Sequence, residues 1–159
     1  YPRAIYTSWS PAEREAIGIY EVVWDDSNKK NGKYYNNTKQ SFNFADGKVT
    51  ASFGIATAKS LDDVTEGGDT TPGLKSFEKS LIKREASGLL TPTDWYVIKA
   101  TEVESYSVPA DTTTYRAAVR TSSNDMEALI DACTTVDELA ALYVYTNGSR
   151  PLGEFPEAV

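Results

Sequence analysis

Few side chains in this chain are placed to do chemistry. Carboxylates crowd together at Asp25-Asp26 and at Asp62-Asp63-Glu66-Asp69. Paired carboxylates can serve as general acid and general base, or can hold a calcium ion. A carbohydrate-active enzyme built on them needs two facing each other across a cleft at roughly 5–10 Å. Neither cluster has the spacing of an EF-hand loop. Asp25-Asp26 follows an apolar run and opens a turn, where Asp is favoured for its local backbone bonds. The single cysteine, Cys133, needs a base to become a nucleophile, and the chain has no histidine. That removes the Ser-His-Asp and Cys-His arrangements and imidazole metal ligands. Cys133 closes an apolar helical stripe and reads as a buried structural thiol. The glycines match no phosphate-binding loop. No cofactor, metal or catalytic residue is expected. Asn36-Asn37-Thr38 and Asn147-Gly148-Ser149 fit the glycosylation pattern, but both read more simply as turns.

Charge and aromatic content point elsewhere. The net charge is −7. Residues 1–61 carry eight Lys/Arg against six Asp/Glu, whereas residues 121–159 carry one Arg against seven acids. Phosphate binding needs a basic stripe, so nucleic acid is not an expected partner. No run of about 18 apolar residues suits a membrane span, and no basic segment followed by an apolar run suggests a signal peptide. Ten tyrosines, three tryptophans and five phenylalanines make up 11% of the chain. Many fall in its first third: Tyr20, Trp24, Tyr34, Tyr35, Phe42, Phe44 and Phe53. Tyr and Trp on a surface favour protein contacts.

The elements that position these rings can be read in order. Ser10, Pro11 and Glu13 form a capping box that opens a short helix, which Gly18 stops. Residues 19–25 read as a strand, and Tyr34-Tyr35 begins a second. Gln40 to Phe44 alternates polar and aromatic residues. Asp46-Gly47 then signals a hairpin whose return arm carries Val49, Ala51, Phe53 and Ile55 on one face. Residues 60–73 have Gly, Asp, Thr and Pro but no apolar period and read as a linker with little regular structure. From Leu74 on the pattern is helical. Leu74, Phe77, Leu81, Ala86 and Leu89 approximate one stripe. Thr91, Pro92 and Asp94 suit the cap and first turn of a new helix, in which Trp95 is expected to be buried. Val108-Pro109 breaks it, and Asp111 or Thr112 caps a long helix to about Cys133. Its Arg116 and Arg120 face Asp94 and Glu102 of the preceding helix, as a docking face or as ion pairs. Thr135 and Glu138 form a second capping box before a last helix, ended by Asn147-Gly148.

The run Ala86-Ser87-Gly88-Leu89-Leu90-Thr91-Pro92-Thr93-Asp94-Trp95-Tyr96-Val97-Ile98-Lys99, with Glu102, Val108-Pro109, Tyr115-Arg116 and Arg120, resembles the C-terminal region of tail-fibre-assembly-like and tail-associated proteins of tailed bacteriophages. Thr135-Val136-Asp137-Glu138-Leu139 is similar to their closing helix. Trp9 to Arg14, Ile17-Gly18-Ile19 and Asp46-Gly47-Lys48-Val49 resemble their front. The resemblance implies a virion or virion-assembly protein without catalysis, made in the bacterial host cytoplasm. Such proteins chaperone fibre trimerisation, sit at a fibre tip or are built into the tail.

These readings combine into an α+β protein. A small antiparallel β-sheet with a short helix occupies residues 1–59, an acidic linker 60–73, a bundle of about four helices 74–147 and an extended tail 148–159. The expected function is non-enzymatic protein binding in a phage tail or tail fibre, as structural component or fibre-tip adaptor. Its partners would be other tail or fibre subunits or a second copy of the chain. The expected partner-binding residues are Tyr20, Trp24, Tyr34, Tyr35, Phe42 and Phe44. The alternatives are an assembly chaperone absent from the mature particle and an enzyme using the acid clusters.

Overall fold

The computed structural model describes residues 3–158 and divides the chain into two compact units, between Ala58 and Lys59. Both strands and helices are present, with the long helices confined to the second unit: an α+β protein with a helical C-terminal region.

The first unit opens with two short helices, α1 (Ile5–Ser8) and α2 (Pro11–Glu15). The capping box is formed: the Ser10 side chain accepts from the Glu13 N–H, and the Glu13 carboxylate accepts from the Ser10 N–H at 2.7 Å. Three strands follow in one sheet, β1 (Val22–Asp25), β3 (Gln40–Ala45) and β4 (Lys48–Phe53), in the order β1-β4-β3. β2 (Tyr35–Asn36) pairs separately with β5 (Thr57–Ala58). β3 and β4 form the expected hairpin. Asp46 and Gly47 both have positive φ, 51° and 74°, as a two-residue type I′ turn requires. The sheet is not wholly antiparallel, because β1 runs parallel to β4. The 22-residue stretch 26–47 between them carries the chain out, through the hairpin and back, so β1 returns to β4 and not to its sequence neighbour.

The second unit begins with structure where a linker was expected. β6 (Val64–Glu66) and β7 (Asp69–Thr71) form a hairpin around Gly67 and Gly68, with φ of 61° and 96°. No apolar period is needed: backbone pairing and the Thr65–Thr70 hydroxyl contact at 3.0 Å hold it. Its base is clamped to α3 (Leu74–Leu90). The Leu74 N–H donates to Ser60 O, the Lys75 N–H to Leu61 O, and the Gly73 N–H to the Asp63 carboxylate at 2.8 Å.

α3 lies antiparallel against α5 (Ala110–Ala132). Ala86, Tyr115 and Val119 form a buried cluster against which Leu89, Leu90 and Phe155 pack. Ile82, Met126 and Ile130 are buried as well. Ion pairs lace the two helices, Lys79–Asp131 at 2.7 Å and Lys83–Glu127 at 3.1 Å. The buried stripe of α3 is Leu74, Glu78, Ile82 and Ala86. Its strict spacing of four leaves Phe77 exposed and draws a glutamate inside. α5 starts directly after Pro109, whose extended ψ of 140° already serves as the entry, so neither Asp111 nor Thr112 is its cap. α6 (Val136–Ala141) has its expected capping box. The tail folds back: Leu152 is 2% exposed and donates its N–H to Leu142 O.

Between α3 and α5 the chain departs from expectation. Thr91 is no N-cap. It is right-handed helical, and its hydroxyl donates back to Ser87 O at 2.8 Å. A 3-10 turn over Thr91–Thr93 joins α3 to α4 (Asp94–Glu102) without a break. Pro92 lacks the N–H that would continue the ladder, and the shorter 3-10 turn absorbs that gap.

Candidate protein-binding surface

Strand register decides which side chains share a face. Trp24 of β1 and Phe42 of β3 are both partners of Ala51 on β4, so Trp24, Ala51 and Phe42 form one row across the sheet. Val22, Val49 and Phe44 form the next row on the same face. Ala51 is fully buried between the flanking large side chains, whereas Trp24, Phe42 and Phe44 are 62%, 63% and 56% exposed. Tyr20 joins this face, its ring centroid 4.6 Å from that of Phe44. The other face carries Ser41, Asn43, Thr50, Ser52 and Asp25, with Val23 as its one large apolar side chain among the described residues, and is largely polar. Three large rings are thus held in fixed positions by a hydrogen-bonded sheet and left open, which is unusual for a side face with no function.

Of the six expected binding residues, the structure brings together Tyr20, Trp24, Phe42 and Phe44 and separates Tyr34 and Tyr35. Tyr34 is buried, with Lys33 Nζ 5.1 Å from its ring centroid. Tyr35 is half-buried in the β2–β5 pair, with Lys30 4.7 Å from its ring. Neighbouring Asn37 clasps the Lys30 backbone through both its amide nitrogen and its oxygen, at 2.7 and 2.8 Å. These residues hold the 26–39 loop in shape.

α4 offers a second apolar surface that the sequence reading missed. None of its residues is buried. Trp95, Val97 and Ile98 are 50%, 40% and 56% exposed. The expectation of a buried Trp95 fails because α3 and α5 pair with each other. Trp95 instead stacks on Tyr96, ring centroids 3.8 Å apart, with Lys99 Nζ 5.8 Å from its ring. The available signal was the shortness of the helix between two breakers, Pro92 and Pro109.

Four of the clustered carboxylates, Asp25, Asp26, Asp62 and Asp63, have structural partners. Asp25 caps the turn by accepting from the Ser27 N–H, and its hydrogen bonds with Ser27 hold its carboxyl below the usual range. Asp26 pairs with Lys29 and Asp62 with Lys75. Asp63 is likewise held low, chiefly by the Gly73 N–H. Among the described residues no three acid or thiol side chains converge as a metal site, and no helix is long and apolar enough to cross a membrane. Cys133 is buried, its thiol aimed at Leu129 O, and desolvation pushes its pKa up.

Comparison of the chain with family models, with curated proteins and with solved structures finds no match.

Proposed function

We propose that this chain is a non-enzymatic component of a bacteriophage tail or tail fibre that acts by binding other virion subunits. The observation that supports binding most directly is the open row of Trp24 and Phe42 on either side of a buried Ala51, with Phe44 and Tyr20 alongside. Each ring of this size buries about 150–250 Å² on contact, and rigid aromatic anchors dominate the energetics of protein interfaces. The tail assignment rests on the resemblance carried by the Ala86–Lys99 run and its companions. The exposed Trp95 and Ile98 lie within that run, which supports a second contact surface on α4. In this reading the protein is made in the host cytoplasm and retained in the particle.

Mass spectrometry of purified virions tests retention: the protein is expected in the particle, and its absence would leave the assembly chaperone as the better reading. An incorporation assay tests the surface. Trp24→Ala and Phe42→Ala, folded by circular dichroism, are expected to be excluded from particles while Glu138→Ala is incorporated. Normal incorporation of both sheet variants would remove this face from the interface.

A further inference from the structure

The three-stranded sheet has two outer edges that differ in kind. β1 is flanked and closed by Glu21, Asp25 and Asp26, three carboxylates that repel a like strand. β3 reads Gln-Ser-Phe-Asn-Phe-Ala: six residues with no charge and no proline. Its pairing with β4 is continuous over all six positions, so no bulge turns the edge away. Natural sheets protect exposed edges with Lys, Pro, bulges or inward charges. β3 has none of these within its six residues, five of which are exposed; Lys39 and Asp46 stand only at its ends.

We propose that a second copy of this chain adds to the sheet through the outer edge of β3. This stands without the virion assignment. The hairpin fixes which backbone groups are free. Its two-residue turn makes Ala45 and Lys48 the closing hydrogen-bonded pair, so Ala45, Asn43 and Ser41 direct their backbone groups to β4. Gln40, Phe42 and Phe44 therefore direct theirs outward. Antiparallel self-pairing with Phe42 opposite Phe42 uses all three: Phe42 meets its own copy on the two-fold axis, and Gln40 meets Phe44 on each side. The same register keeps the Phe42 and Phe44 faces of both copies on one side, extending the aromatic surface across six strands. It also brings the Lys39 end of each β3 alongside the Asp46 turn of the other, whereas parallel pairing would set like ends together. A self-complementary uncharged edge fits a second copy better than a charged partner strand.

The test uses the purified full chain, so its failure and that of the virion reading are told apart. Sedimentation equilibrium is expected to show a dimer. Phe42→Pro removes an outward N–H and spares the bonds to β4, a place where an edge strand tolerates proline, and is expected to sediment as a monomer. Val23→Ala, on the far edge and the opposite face, is expected to remain dimeric. Phe42→Cys is expected to form a disulfide-linked dimer on mild oxidation, because opposed Cα atoms in a hydrogen-bonded pair lie about 5.5 Å apart. Ala45→Cys is expected not to, since its copies lie roughly 20 Å apart in this register. If Phe42→Pro fails to fold, the cysteine pair decides. A monomeric wild-type chain, a folded Phe42→Pro dimer, or cross-linking at position 45 and not at 42 would each overturn the proposal.

Discussion

Arg116 of α5 and Asp94 at the head of α4 are joined by an ion pair of 2.8 Å. The two ends of that pair are unequal. The Arg116 side chain is 9% exposed and the Asp94 side chain 52%. Arg116 also donates to Leu90 O at 2.9 Å and to the Thr93 hydroxyl at 2.6 Å. One guanidinium therefore holds the end of α3, the 3-10 turn and the start of α4. Leu90 O lies where α3 passes into the 3-10 turn, and Arg116 and the Thr93 hydroxyl both donate to it.

Arg116→Met is expected to destabilise the protein by about 2–3 kcal/mol, because it strips charged hydrogen bonds from partly buried acceptors. Asp94→Asn is expected to cost less than about 1 kcal/mol, since its half-exposed carboxylate is screened by solvent. Denaturant melts of both variants check this. Equal costs would mean that the ion pair, and not the bonds to Leu90 and Thr93, braces the joint.

Trp95→Ala is expected to change stability by less than about 1 kcal/mol, as exposed substitutions do. A buried tryptophan would cost about 3–5 kcal/mol, so a urea melt separates the two cases plainly. Thr91→Ala should be nearly silent for the same reason: its hydroxyl only repeats a carbonyl contact on an exposed helix face.

Local signals were legible where the chain satisfies its own backbone. The capping boxes at Ser10–Glu13 and Thr135–Glu138 and the Asp46-Gly47 hairpin are complete within a few residues, so sequence spacing specifies them. Tertiary competition was not legible. Nothing in the spacing of Trp95 and Ile98 says that α3 and α5 prefer each other, or that the α3 stripe passes through Glu78. The parallel seat of β1 likewise depends on a long-range pairing. For the binding surface, alternation correctly set Phe42 and Phe44 on one face. Composition alone groups the tyrosines at 34 and 35 with them, whereas lysine packing and burial place them elsewhere. The β6–β7 hairpin did have a signal, Gly67-Gly68 between short Thr-containing runs, which the absence of apolar period concealed.

Gly73 joins that hairpin to α3 at close quarters. A Cβ built there would lie 2.4 Å from the Asp62 backbone carbonyl carbon and oxygen and 2.7 Å from Leu61 O. These are backbone atoms, so no side chain can swing aside. Gly73→Ala must push residues 61–62 away from the helix start and weaken the Leu74, Lys75 and Gly73 N–H bonds. A cost of about 1–3 kcal/mol is expected, as for other overpacked sites. Gly88→Ala, with open space around the Cβ, should instead be neutral or mildly stabilising in mid-helix. Thermal melts of the pair check this, and a silent Gly73→Ala would mean that the hairpin base is not held against α3.

Acid should weaken the helical unit through Glu138. Its carboxylate accepts from the Thr134 N–H at 2.6 Å, the Thr134 hydroxyl at 2.9 Å and the Thr135 N–H at 3.1 Å. These bonds, the Thr134 N–H first, hold its pKa below the ordinary glutamate value. A depressed folded-state pKa means that the unfolded chain binds the proton more readily. The contribution of Glu138 is therefore complete above the unfolded value of about 4.3 and is lost as the pH falls through the lower folded value. Glu138→Gln cannot titrate and keeps the side-chain shape. Wild-type stability is expected to fall as the pH drops below about 4.3, and the fall is expected to be shallower in Glu138→Gln. Asp63 has its pKa lowered in the same unit and titrates in the same direction, so the fall should be reduced and not abolished. Parallel pH profiles for wild type and Glu138→Gln would mean that the Thr134–Thr135 cap stays formed when Glu138 is protonated.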